Sequence, residues 1–338
     1  MKFNKLTAWR FCVVLLLLCA GLVFVGMGVG STGWQSVGLA WHDALAWQIV
    51  MDIRLPRTLG ALCAGALLGL AGAIAQGLFR NPLADPYLLG SASGASLGVA
   101  LALVGFGLNS TSVASAHVLS ALGLTGAAFL GAVLAVVLTL LLAKGVQQSL
   151  RLLLAGVVVG VVLSALSSLV LWVHPETFQT MQAFMLGNTG YVGWSAVTLM
   201  LVVLVLCLLT GLAASRVLDG LALGEATAKS LGLPLQSLRV VLLASLALAT
   251  GTAVAQTGLI AFVGLAAPHM VRSLVKTHQA WQLSLSACMG AALLLAADLL
   301  ARALIAPQEL PVGVLTAVLG GSYLLWLMHR QQSARSGT

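Results

Sequence analysis

The chain has 338 residues, of which 60% are hydrophobic and 7% charged, with a formal net charge of +8. Soluble domains carry about a quarter charged residues, so this composition, with a mean hydropathy of +1.07, excludes a water-soluble globular protein. Apolar runs of about 18 residues or more, each able to cross roughly 30 Å of hydrocarbon, recur along the chain without the polar alternation of a membrane barrel. The expected class is an all-α polytopic membrane protein.

The first apolar run, about residues 9–30, follows Lys2, Lys5 and Arg10 and is longer than a signal-peptide core. Leu18 before Cys19 is not the small residue a lipobox needs. The run therefore reads as an uncleaved first span. Residues 31–52 form a polar segment with Trp34, Trp41 and Trp47, as at a membrane interface. A second span runs over about 56–78, opening at Pro56 and stopped by FRNPLADP. The third, about 88–107, carries Gly90, Gly94 and Gly98 at four-residue spacing, a ridge that admits a close neighbour. Spans four and five cover about 117–143 and 151–173, the latter with Gly156 and Gly160 on one face. Residues 174–193 are amphipathic and too short to cross, which suggests a short outer-surface helix. The remaining spans are about 194–214, 239–256, 258–275, 282–305 and 312–329, ten in all.

Ten spans put both termini on one side. With the N-terminus cytoplasmic, 13 of the 16 Lys and Arg residues fall inside and only Arg54, Arg57 and Arg302 outside, a strong positive-inside asymmetry. The net charge is thereby assigned to retained cytoplasmic loops. No basic cluster interleaved with aromatics suggests nucleic acid. The five cysteines lie inside apolar segments with no CxxC pair, and read as small buried hydrophobes with no metal site. The six histidines show no HExxH or paired metal spacing, and His269 reads as a structural histidine. Asp298 and Arg302, four apart, share a helix face and are either a functional intramembrane pair or an ordinary helix-end pair.

The longest polar-containing interruption in the later two-thirds is Leu218–Arg239, with Asp219, Glu225, Lys229 and Arg239. Its LGEATAKS resembles a phosphate loop only loosely: GxxxxGK[ST] needs glycine where Leu223 and Ala228 stand, so it is not a nucleotide site. A helix from Asp219 to Lys229, a break at Gly232–Pro234 and a second short helix toward Arg239 are expected. Two arrangements remain open for them, a hairpin lying on the membrane or a rigid knob for a soluble partner.

LGEATAKSLGLP, RLPRTLGALCAGALLGLAGAIAQGLFRNPLADPYLLG, GLIAFVGLAAPHMVR and ADLLARALIAPQELPVGVLTAVLGG together resemble the permease subunits of binding-protein-dependent ABC importers. The branch is the FecCD or BtuC type, which serves iron chelates, haem and vitamin B12, and the likeness covers roughly residues 50–330. It implies a single permease domain over 1–338 with about ten transmembrane helices. It also implies a homodimer in the inner (cytoplasmic) membrane, two ATPase subunits below and a periplasmic or extracellular binding protein above. Under this likeness Ala222, Leu223, Gly224, Glu225, Lys229 and Gly232 would couple to the ATPase. Arg54, Arg57 and Arg302 would dock the binding protein through its glutamates, steering encounter and register. Asn81 and Leu83, with Ser149 and Leu150, fall where the family has its cytoplasmic gate, and Leu150 departs from the hydroxyl pair familiar there.

The chain itself is then expected to be no enzyme and to hold no cofactor, ATP and Mg belonging to the ATPase. The implied substrate is a bulky metal chelate, a ferric siderophore or haem, with vitamin B12 as the second reading. A secondary transporter would need midplane carboxylates and broken helices, for which Asp298 is the only candidate. An intramembrane enzyme lacks a nucleophile–base pair.

Overall fold

A computed structural model describes residues 5–30, 33–34, 43–105, 118–143 and 149–336. The expectations for Trp41 and for the ends of spans three and four at 106–107 and 117 lie outside these residues. Helix α1 spans Lys5–Gly28 and leads into a two-residue antiparallel ladder, Val29–Gly30 with Gly33–Trp34. Asp43 caps α2 (Ala44–Ile49) by accepting from the Leu45 amide at 3.0 Å. A π turn over Val50–Arg54 then joins α2 to α3 (Leu55–Phe79) without a break. Part of the polar segment is thus helical, and Pro56 sits just past a turn whose i→i−4 ladder is already interrupted, where its missing N–H costs little.

A 3-10 turn, Pro86–Leu89, precedes α4 (Ser91–Gly105), α5 (Val118–Leu142) and α6 (Ser149–Val173). The short element after span five is a 3-10 turn, Pro175–Thr177, followed by α7 (Phe178–Leu186), which buries Met181. After α8 (Trp194–Ala213) come two short helices, α9 (Ser215–Ala222) and α10 (Glu225–Ser230). The chain closes with α11 (Leu235–Thr257), α12 (Val263–Leu274), α13 (Gln279–Ala303) and α14 (Val312–Ser336).

Each of the ten expected spans coincides with a helix. Seven helical segments among the described residues are long and apolar enough to cross a bilayer, whereas α4 and the apolar part of α14 are shorter. Helix α12 has only 12 residues, about 18 Å of rise, so ten is an approximate count of full crossings. Its shortness has a local cause. Gly258 and Phe262 both adopt positive φ, which ends α11 and delays α12 until Val263. Irregular backbone at membrane depth is tolerated only where protein satisfies it. Here the Leu259 amide donates to the Phe184 carbonyl at 3.1 Å, the Asn188 amide to the Thr257 carbonyl at 2.8 Å, and the Tyr87 hydroxyl to the Ile260 carbonyl at 3.1 Å.

Helix α3 is the axis of the core and packs most extensively on α13, α11 and α12. Small residues make that approach possible: a Cβ on Gly65 would stand 2.3 Å from the Gly290 carbonyl oxygen, and one on Gly69 2.2 Å from that of Ser286. The ridge on α4 behaves as its spacing suggests, with Gly94 against Gly131 and Gly98 against Ala127 of α5. Helices α1, α5, α6 and α8 turn much of their apolar surface outward, as lipid-facing or subunit-facing helices do. Trp9 of α1 meets Trp281 of α13 edge-on at 6.5 Å, and His269 of α12 meets Tyr323 of α14 at 6.0 Å. These contacts bring the start of α1 and the later part of α14 to the end of the bundle that also carries α9 and α10.

Candidate functional site

At that end, α9 buries Val217, Leu218 and Leu221, with Leu218 lying on Gly77 of α3. The Asp219 carboxylate accepts from the Gln279 amide at 3.1 Å. It thereby satisfies one of the orphan donors that open α13. Gly224, at φ 112, turns the chain sharply into α10, a conformation that side-chain-bearing residues rarely adopt. Ala228 is buried beneath α10, and Gly232, at φ 69, closes the element just before Pro234 stops it. Outside this tightly held interior, Ala222, Leu223, Lys229, Leu231 and Gly232 face outward. Leu223 is 69% exposed and Leu231 61%. The structure therefore has a small rigid knob with two apolar side chains at its tip.

Glu225 is not part of that tip. Its carboxylate accepts from both guanidinium nitrogens of Arg239, at 3.1 and 3.4 Å, and pairs with Lys229 at 3.3 Å. Arg239 lies buried in the first turns of α11. Its hydrogen bond, reinforced by its charge and by Lys229, holds the Glu225 carboxyl below the usual carboxylate range. The stabilisation is present above the ordinary carboxylate pKa and is lost as the pH falls through the lowered value. The two residues stand fourteen apart with a helix break between them, a separation that no helical spacing rule pairs.

The gate candidates lie on a turn and on a helix start. The Asn81 side chain accepts from the Leu83 amide at 2.9 Å, an Asx turn, and Leu83 is exposed. Leu150 is exposed on the first turn of α6, and only the helical backbone of Ser149 is described. Among the described residues no hydrogen bond joins this turn to Leu150. The 3-10 turn after Asp85 does meet α6, where a Cβ on Gly156 would stand 2.0 Å from the Leu88 carbonyl oxygen. Asp85 caps that turn by accepting from the Tyr87 amide at 2.7 Å, yet burial outweighs this bond and raises its pKa to about 6. A raised carboxyl pKa penalises the charged form, so the cost is full above pH 6 and is relieved as the pH falls toward the ordinary 3.8. Asp85→Asn keeps the capping oxygen without the charge. At pH 8 it should stabilise the protein by up to about 3 kcal/mol, at 1.36 kcal/mol per pKa unit, with no gain near pH 4. Thermal unfolding at the two pH values reads the difference.

At the opposite end, Arg54, Arg57 and Arg302, the arginines expected to face a binding protein, lie largely buried against intrachain acceptors. Arg302 is 1% exposed and Asp298 is fully buried. Asp298 accepts from Arg302, from the Thr189 hydroxyl and, at 3.4 Å, from Arg57. Arg302 also donates to the Thr58 hydroxyl at 3.3 Å, and Arg57 pairs with Glu309 at 2.8 Å. Arg54, itself buried, donates to the Gly28 carbonyl at 3.3 Å. The acceptors are all within the chain: the Asp298 and Glu309 carboxylates, the Met27, Gly28 and Val29 carbonyls and the Thr58 hydroxyl take up the guanidinium groups. Asp298 and Arg302 thus belong to a larger buried network joining α3, α13, the Thr189 loop and the Glu309 loop.

Among the described residues no group of three or more His, Cys, Asp or Glu could hold a metal ion, and all five cysteines are free thiols.

The FecCD transport family model matches residues 12–330. The hemin transport system permease protein HmuU of Yersinia pestis is 38% identical over 97% of this chain and 96% of its own length. The vitamin B12 import system permease protein BtuC of Shigella boydii serotype 18 is 39% identical over 95% and 94%. Among solved structures, a metal-chelate type ABC transporter in an inward-facing conformation superimposes with a TM-score of 0.84 at 29% identity, covering 95% of this chain and 99% of that one. PsaBC of Streptococcus pneumoniae, at 17% identity and a TM-score of 0.60, shares the fold. A multi-pass helical bundle with this likeness along nearly its whole length is an ABC transporter permease, and the chain belongs to the FecCD transport family.

Proposed function

We propose that this chain is the membrane-spanning subunit of an ATP-driven importer, working as a homodimer in the cytoplasmic membrane, with ATP and Mg bound by separate ATPase subunits. The observation that carries the reading is the α9–α10 knob. It is held rigid by Asp219, Gly224 and the Glu225–Arg239 pair, and it offers Leu223 and Leu231 to a partner. Exposed leucines on a charged element at the end of the bundle suit a groove on a soluble protein. Arg10, Arg80, Arg151, Arg216, Lys229 and Lys276 belong to the segments on this side, which supports a cytoplasmic assignment by the positive-inside rule. Both termini would then be cytoplasmic, and a binding protein would dock at the opposite end around the exposed loop at residues 306–308. Arg54 and Arg302 would shape that face from beneath.

For the substrate we favour a metal chelate, haem or a ferric siderophore, with vitamin B12 as the alternative. The relatives named for hemin and for vitamin B12 are about equally similar, so sequence identity does not decide between them. Uptake by the reconstituted complex, offered haemin, a ferric siderophore and cobalamin in parallel, does. Docking is tested by co-expressing the permease with the ATPase of its transport system. Leu223→Asp should lower the affinity of the two subunits by about 30-fold, the equivalent of a hot-spot loss of about 2 kcal/mol. Undiminished copurification would remove the knob from the interface.

A further inference from the structure

We infer that Glu225 and Arg239 form an internal strut that makes the knob move as one body with α11, so that Glu225 is a positioning residue for coupling and not a contact for the ATPase. The inference rests on the proposed role of the knob. Three observations lead to it. The Glu225 carboxylate, half-buried, is engaged by both terminal nitrogens of Arg239, at 3.1 and 3.4 Å. Two-point pairing fixes orientation as well as distance, which a single bond or a lysine does not. Arg239 is buried, so the strut is anchored in the bundle and not in a mobile surface side chain. Glu225 is also the first residue of α10, directly after the Gly224 turn, where a carboxylate favours the helix N-terminus.

The strut does not act alone. Asp219, one turn before the knob's tip, holds the Gln279 amide at 3.1 Å, so α9 is tied to the start of α13. The knob thus has two fixings on two long helices, α11 through Glu225 and α13 through Asp219. A push on Leu223 and Leu231 is delivered to both helices together. With the Glu225 fixing removed, Ala228 and Leu218 still pack beneath the knob, so its shape for docking persists while its connection to α11 slackens.

The test uses the complete permease–ATPase complex in proteoliposomes, with whichever of haemin, a ferric siderophore or cobalamin the unmodified complex takes up. Glu225→Gln and Arg239→Gln are each expected to copurify the ATPase as the unmodified chain does, and to hydrolyse ATP. Each should move about tenfold less substrate per ATP, within the roughly 5- to 150-fold that coupling between two sites typically spans. The exchanged pair, Glu225→Arg with Arg239→Glu, should recover most of that loss, a rescue that general damage to the fold would not allow. Wild-type transport per ATP in either single variant would overturn the inference, as would an exchanged pair no better than the singles or loss of the ATPase from Glu225→Gln while the unmodified chain retains it. Failure of the unmodified chain to bind any ATPase would instead overturn the docking role of the knob, and the strut's role with it.

Discussion

Asp298→Ala should destabilise the protein by about 3–5 kcal/mol, the cost of leaving a buried cation without its partner. The side chain is fully buried and is shared by Arg302, Arg57 and the Thr189 hydroxyl. Glu309 still balances Arg57, but among the described residues the hydrogen bonds left to Arg302 are those to the Thr58 hydroxyl and the Val29 carbonyl, at 3.3 and 3.5 Å, neither of which carries charge. Asp298→Asn, which retains an acceptor for Thr189, should lose less. Replacing the pair together, Asp298→Leu with Arg302→Met, should lose less than Asp298→Ala, because apolar groups of similar volume need no counter-charge. This non-additivity is what residues of one network show. Thermal unfolding in detergent or nanodiscs measures the series, and an Asp298→Ala protein as stable as wild type would mean that the pair contributes nothing to folding.

That network also marks the limit of what the sequence discloses. Arg54, Arg57 and Arg302 stand out in the sequence because they are the cations that fall on the far side of the charge count. Their surroundings do not: Arg57 finds Asp298 and Glu309 across 241 and 252 residues, distances no periodicity encodes. The bundle itself was plain to read, since an apolar run of bilayer length has few other folds available. The interruption at Gly258–Phe262 was not, because GLIAF is as apolar as the helices around it and its break lies in two positive φ angles. The α9–α10 knob was half legible. Its charges and the Gly232–Pro234 break announce two short helices outside the bilayer, whereas the pairing of Glu225 depends on where Arg239 is carried by α11.

Gly72→Ala should be among the most damaging single-methyl additions to this chain, whereas Gly126→Ala should be harmless. Both glycines lie inside apolar helices, α3 and α5, and sequence alone ranks them alike. A Cβ on Gly72 would stand 1.6 Å from the Gly264 carbonyl oxygen in the first turn of α12, so one helix has to retreat by well over an ångström. Neither can do so cheaply. Helix α3 is enclosed on nearly every side, and the Leu265 carbonyl is held by the Gln76 side chain at 3.2 Å. Gly264 is itself packed closely, since a Cβ there would stand 2.4 Å from Pro86 and 3.0 Å from the Leu68 carbonyl oxygen. Overpacking in a yielding core costs about 1–3 kcal/mol. With backbone opposed to backbone, the loss should reach about 3 kcal/mol or more and disturb the α11–α12 break next to it. At Gly126 nothing stands within 4 Å of the added carbon, and alanine there removes backbone freedom from the unfolded chain for a gain of up to about 1 kcal/mol. Comparing the yield and melting temperature of the two variants in one detergent separates close helix packing from a general intolerance of alanine for glycine. Equal behaviour would show that α12 is not seated on α3 as closely as the Gly72–Gly264 contact requires.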